Sequence, residues 1–197
     1  IPSVSRFLFF MIISLSGAGG SGKSTIAMKL ADKLGWPRYY IGGLRREMAA
    51  RRGLTLAEYN KLGESDPATD MEVDDYQKKL GETEDNFIIE GRTSWYFIPH
   101  SLKIYLDVDA DEGARRVFAH LQQKNKRNED NGLDSVEAVK RSIAQRLESD
   151  NLRYRKYYGI KGYNRENYDF YLDTTNLSVD EVFNHVYNFV RSRLDKH

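Results

Sequence analysis

Cysteine is absent from this 197-residue chain, which excludes disulfides and thiolate metal sites and fits a reducing compartment. The four histidines, at positions 100, 120, 185 and 197, show no metal-ligand spacing. Charge of one sign is lacking as well. Thirty basic residues against 29 acidic ones leave a net charge of +1, so no global field draws the chain to nucleic acid or an acidic membrane. No apolar run approaches the roughly 18 positions a membrane helix needs. Arg6 followed by Phe7 to Ile13 has the outline of a secretion signal. It leads straight into the glycine-rich segment described next, however, so cleavage there would destroy the first strand. Residues 1–10 read as an N-terminal extension or remnant ahead of a natural start at Met11. The remainder, 11–197, reads as a single cytosolic domain without repeats or low-complexity linkers, monomeric or weakly dimeric.

What is present is more telling. Gly17-Ala18-Gly19-Gly20-Ser21-Gly22-Lys23-Ser24-Thr25 fits G-x-x-x-x-G-K-[ST] and follows the apolar run Met11 to Leu15. Glycines let a backbone turn tightly and aim successive N–H groups at one polyphosphate. Lys23 supplies a mobile ammonium for the β- and γ-phosphates, and the Ser24 hydroxyl suits Mg²⁺. A helix beginning near Gly22 adds its positive end. A chance match to this pattern arises about once in a hundred such chains. The amphipathic positions Ile26, Leu30 and Leu34 lower that further. The chain binds a nucleoside triphosphate, ATP being the ordinary donor.

Strands and helices alternate along the rest of the chain, the pattern of a parallel sheet with helices on both faces. Five strands are expected: one before the glycine-rich loop, then 38–41, 86–90, 102–107 and 170–173. Helices are expected over 22–34, from Gly42-Gly43 through Ala49, over 54–62, 67–80, 111–122, 135–157 and 178–194. Residues 123–134 lack apolar anchors and read as a mobile surface segment. In such sheets ligands gather at the carboxyl ends of strands, which draws attention to Glu90-Gly91-Arg92 and Asp107. Glu90 stands where an acid near Mg²⁺ belongs; capping the next helix is its other reading. Arg92 suits bidentate grip of an acceptor phosphate, or a surface ion pair. Asp70, Asp74 and Gln77 follow i, i+4, i+7 spacing and share a helix face, which by itself is the pattern of a solvated stripe. Arg146 and Arg153, seven apart, share a face of the long helix. With Arg115, Arg116, Lys124, Lys126 and Arg127 they outline a closing lid over about 122–146, or an exposed helix with pairs such as Arg146 to Asp150. Tyr154, Tyr157, Tyr158 and Tyr163 among basic residues allow stacking on RNA, but helix-to-sheet packing explains them more simply.

At these residues the chain resembles the nucleoside monophosphate kinases, most nearly the compact archaeal-type cytidylate kinases and their cytidylate-kinase-like relatives. The likeness spans about 11–190 and rests on several phrases. Arg45-Arg46-Glu47-Met48-Ala49 matches the phrase carrying the family's phosphate-binding arginine and singles out Arg46 over Arg45. Arg52 to Tyr59, Asp74-Asp75-Tyr76-Gln77, Glu90-Gly91-Arg92, Arg153-Tyr154 with Tyr158-Gly159, and Asp173 to Ser178 match further family phrases. The lysine in the phosphate loop differs from the archaeal variant with threonine there, and segment 123–134 is longer than the compact members'.

The resemblance implies a three-layer phosphate-loop fold whose acceptor-binding helices span about 42–81. It implies ATP·Mg²⁺ as donor on Gly17 to Thr25, with Ser24 and Glu90 toward the metal. Arg46, Gly91 and Arg92 would take the acceptor phosphate, Asp74 and Gln77 the base, and Lys23, Arg92, Arg146 and Arg153 the transferring phosphoryl group. CMP or dCMP is the implied acceptor. A kinase for AMP, a nucleoside or a coenzyme precursor is the nearest alternative, and a non-catalytic nucleotide-binding or RNA-associated module the more distant one.

Overall fold

Ile12–Gly17 is buried at every position, as a strand covered on both faces must be. It forms β1 in the computed structural model, which describes residues 10–123, 132–161 and 163–195. The other strands are β2 (Arg38–Tyr40), β3 (Phe87–Glu90), β4 (Leu102–Asp107) and β5 (Phe170–Asp173). They pair in the order β2-β3-β1-β4-β5, and every pairing is parallel. From β1 the chain runs to β2 at one edge and returns to β3 beside β1, then crosses to β4 and β5 on the other side. Order therefore reverses beside β1, which opens a crevice at its carboxyl end.

Helices occupy both faces, as expected: α1 (Lys23–Leu34), α2 (Ile41–Arg51), α3 (Leu56–Gly63), α4 (Ala68–Thr83), α5 (Ser94–Phe97), α6 (Ala110–Leu121), α7 (Val136–Tyr158) and α8 (Val179–Leu194). Strand alternation decides which face each residue serves. Ile13, Leu15, Ile88, Ile104 and Leu106 pack against Ile26 and Leu30 of α1 and Val182, Val186 and Val190 of α8. Ile12, Phe87 and Ile89 point the other way, onto Ile41, Val73, Leu80 and Ile98. Beside them, Tyr105 stacks on Tyr171 at 5.5 Å and meets Tyr168 at 4.9 Å.

Side-chain caps fix half of these eight helix starts. Thr55 with Glu58 and Ser178 with Glu181 form capping boxes for α3 and α8, while Asp109 and Ser135 cap α6 and α7. Gly159, in the left-handed region at φ 67°, ends α7. Pro67 precedes the first turn of α4, which runs three residues beyond the expected Leu80. Helix α5 and a 3-10 turn at Arg165–Asn167 carry too few residues to show a period and were not expected. Most of the expected mobile segment, including Lys124, Lys126 and Arg127, lies outside the described residues.

Candidate active site

Helix α1 starts without a side-chain cap. Gly22 occupies the capping position at φ 80°, so the first-turn N–H groups stay available to a ligand. Gly20 has a left-handed φ of 84°, and a side chain there would collide with the backbone of Gly113 in α6. The constraint is mutual, because a Cβ on Gly113 would lie 2.5 Å from the Gly19 carbonyl oxygen. Only glycine at both places lets α6 lie backbone to backbone on the loop. The loop is also tied to the sheet, Ala18 N–H donating to the Leu106 carbonyl at 3.0 Å.

A cavity of about 990 Å³ opens over this loop. Gly19 to Thr25 line one part of it; Gly17 and Ala18 turn into the sheet instead. Arg46, Asp74, Glu90, Gly91, Arg92 and Arg146 line it as well, so residues from α2, α4, the end of β3 and α7 meet there. Lys23 lies in the midst of these cations. Burial lowers its ammonium pKa to about 8; Glu90 opposes this, while Arg92, Arg146 and Arg46 reinforce it. A lysine and three arginines facing one space define a site for a polyanion.

Glu90 is 1% exposed and does not cap a helix. It accepts from the Ser24 hydroxyl and, at 2.9 Å, from Arg38 Nη1. Arg92 pairs with Asp150 of α7, and Asp150 also accepts from Arg153. Arg153 then reaches Asp70 of α4, and Asp70 takes Arg45 of α2 at 2.7 Å. The result is an alternating buried chain of charges, Arg45–Asp70–Arg153–Asp150–Arg92, in which only the last arginine has appreciable exposure.

Several expectations change here. Arg153 is 0% exposed and does not line the cavity, because two aspartates from different helices enclose it. Asp150 is 2% exposed and takes Arg92, Arg153 and the Tyr163 hydroxyl, so it is buried rather than set on an exposed helix face. The stripe Asp70, Asp74, Gln77 is also buried rather than solvated: α7 meets Asp70 and Asp74 through Arg153 and Tyr158, and Thr93 and Ser94 after β3 meet Gln77. Tyr158 donates to Asp74, Gln77 Nε2 donates to the same carboxyl at 3.2 Å, and burial lifts its pKa to about 7 against the Tyr158 bond. Gln77 itself does not line the cavity. Its Nε2 faces Asp74 and Thr93, and Ser94 Oγ donates to its Oε1 at 2.6 Å, so the amide orients Asp74.

Further polar links join α7 to the acceptor-side helices. Tyr157 donates to the Gly63 carbonyl and Lys156 to that of Glu64, each at 2.7 Å. The tyrosines of α7 are thus packing and hydrogen-bonding residues. Sequence reasoning missed Arg38, Tyr40 and Asp150, and it gave Arg116 only a place at the lid edge. Arg116 lines the cavity beside Leu177 and Val179 and donates to the carbonyls of Thr174 and Thr175 at 3.0 and 2.9 Å. A phrase match at Asp173 to Ser178 was the one signal pointing to that corner.

Sheet order, loop and cation-lined cavity define a phosphoryl-transferring protein of the phosphate-loop kinase type. Residues 12–176 match the model of the cytidylate kinase-like family, and the chain belongs to that family. It is similar to the cytidylate kinase of Natronomonas pharaonis, at 37% identity over 174 residues, covering 87% of this chain and 85% of the relative. The cytidylate kinase of Methanopyrus kandleri is 34% identical over 188 residues, 90% of this chain and 91% of its own. Among solved structures, a shikimate kinase from Bacteroides thetaiotaomicron superposes with a TM-score of 0.61 over 95% of this chain and 99% of that one. At 16% identity that likeness speaks to the fold alone. Among the described residues, no helix is long and apolar enough to cross a membrane.

Proposed function

We propose that this enzyme transfers the γ-phosphoryl group of ATP to CMP or dCMP, giving ADP and the nucleoside diphosphate. The observation that carries the reading is a single cavity in which the uncapped loop and Lys23 share a wall with Arg46, Asp74 and Arg92. A triphosphate site alone needs no second set of arginines. The cytidylate kinases among its relatives support the choice of base.

In this reading the loop N–H groups and Lys23 hold the β- and γ-phosphates, and Arg46 and Arg92 hold the acceptor phosphate. An acceptor phosphate oxygen is already nucleophilic, so no strong base and no covalent intermediate are required. That oxygen bonds to the γ-phosphorus as the bond to the β–γ bridging oxygen breaks, and ADP leaves with the electron pair. Lys23, Arg92 and Arg146 offset charge on the transferring group, and alignment of the two substrates does the rest. Asp74, steadied by Gln77 and Tyr158, presents the polar edge that meets the base. Arg153 contributes by holding Asp150 and Asp70 rather than by touching phosphate.

The residues fit Mg²⁺. Ser24 and Glu90 place two hard oxygens in contact, and no cluster of three or more His, Cys, Asp or Glu among the described residues forms a protein-only cage. Mg²⁺ bound with ATP would neutralise its phosphates, Ser24 ligating it and Glu90, half taken by Arg38, acting through water. The test is ADP release with ATP·Mg²⁺ and each ribo- and deoxyribonucleoside monophosphate. CMP and dCMP should exceed the others by tenfold or more, as a site that hydrogen-bonds one base edge requires. ADP release that no acceptor stimulates would refute the reading.

A further inference from the structure

Tyr40, the last residue of β2, belongs to none of the phrases that drew attention to Arg46, yet it touches both arginines at this corner. Its hydroxyl accepts from Arg46 Nη1 at 2.6 Å, and the same nitrogen donates to the Gly42 carbonyl at 3.0 Å. Its ring lies under Arg38, whose guanidinium carbon is 5.5 Å from the ring centroid. Arg38 in turn holds Glu90, and Glu90 holds Ser24 of the phosphate loop. A continuous path thus runs Arg46–Tyr40–Arg38–Glu90–Ser24 across the floor of the cavity, and all five residues line it.

Local sequence fixes the ring. Gly42 and Gly43 open α2 directly beneath it, and a Cβ on Gly43 would lie 2.6 Å from Tyr40 Cδ1. One on Gly42 would meet Cε2 at 3.0 Å. A helix start with two glycines is poor in intrinsic propensity. Here those glycines leave room for an aromatic ring to lie flat on the first turn and turn its hydroxyl toward Arg46, one helical turn on.

We propose that Tyr40 is a positioning residue for phosphoryl transfer: its hydroxyl aims Arg46 at the acceptor phosphate, and its ring steadies Arg38 on Glu90. One side chain thereby couples the acceptor-phosphate arginine to the carboxylate on the donor side. The proposal rests on the acceptor role of Arg46 given above. It separates two functions within one residue, since phenylalanine keeps the ring and discards the hydroxyl.

Tyr40→Phe should raise KM for CMP about tenfold, with KM for ATP and the Mg²⁺ dependence unchanged. In an Arg46→Ala background the same substitution should have no further effect. Tyr40→Leu, which also removes the support under Arg38, should shift the Mg²⁺ dependence as well. Gly43→Ala, which displaces the ring and its hydroxyl together while leaving Tyr40 itself intact, should raise KM for CMP and shift the Mg²⁺ dependence as Tyr40→Leu does. An unchanged KM in Tyr40→Phe, or an equal effect with and without Arg46, overturns the proposal. A readout independent of the acceptor's identity is the guanidinium NMR signal of Arg46 in the ligand-free protein, assigned by its loss in Arg46→Lys. Tyr40→Phe should speed guanidinium rotation and broaden or merge those signals, and an unaltered signal refutes the aiming role whichever acceptor the enzyme uses. A wild-type enzyme that turns over no monophosphate, with Arg46 still immobilised by Tyr40, would instead refute the acceptor reading and leave the positioning role standing.

Discussion

At the donor end of the cavity the binding groups come from one short run of chain, Gly19 to Thr25, and most of them are backbone. At the acceptor end they come from α2, α4, the end of β3 and α7, and nearly all are side chains. The donor end is anchored in the apolar core through β1 and α1. The acceptor end is held to α7 by polar links: Arg153 to Asp70, Tyr158 to Asp74, Tyr157 to Gly63 and Lys156 to Glu64. Backbone geometry set by consecutive residues is rigid and tolerates little variation. A site assembled from charged side chains on separate helices can be retuned residue by residue, and it can open where its polar links part.

Substitutions should expose that contrast. Lys23→Ala removes a charge from a prebuilt cradle, so turnover should fall about a thousandfold or more, about 4 kcal/mol in the barrier, while the melting temperature stays near wild type. Near-normal turnover in this variant would abolish the distinction between the two ends. Arg153→Met should behave in the opposite way. It leaves Asp70 and Asp150 short of a buried partner, and stability measured by urea unfolding should drop by about 3 kcal/mol. A loss of activity without loss of stability would return Arg153 to the phosphate.

Asp74 offers a finer probe. Its carboxyl titrates near pH 7 in the folded chain against the ordinary 3.8, so the native state holds the extra proton between those values. Stability from this group is complete below about pH 4 and is lost as pH rises through 7. Asp74→Asn should flatten that part of the stability profile, on the order of 2 kcal/mol, as followed by thermal melts across pH. A wild-type profile already flat there would mean that the acceptor end is more open to water than its contacts indicate. The smallest effect belongs to Lys23, titrating near pH 8 in the empty site. ATP phosphates should raise that value, so binding at pH 8 should take up a fraction of a proton, read from calorimetric enthalpies in buffers of different ionisation heat. Proton release would reverse the electrostatic picture of the loop.

The same contrast explains what could be read from sequence. All five strands were legible because short apolar or aromatic runs bounded by polar or turn residues carry their own signal, and the loop was legible because its function is written in adjacent positions. Arg46 was singled out over Arg45 by family resemblance, since helical geometry alone says only that neighbours point apart. The burial of Asp70, Asp74 and Gln77 was not legible. Their spacing fixes a shared face, but whether that face meets water or α7 depends on residues some 80 positions away. Arg153 was misplaced for the same reason, its partner Asp70 being 83 residues distant. Tyr40 carried no signal because its role appears only when β2, α2 and β3 are side by side.

The paired glycines at 20 and 113 place a condition on how this enzyme can change over generations. Each occupies the space that a side chain on the other's neighbourhood would need, so neither can be replaced first and repaired by a later change at its counterpart. Gly113 lies outside every loop motif, yet it should be as invariant among relatives with this α6 placement as the glycines of the loop. A family member lacking it would have to carry a displaced α6.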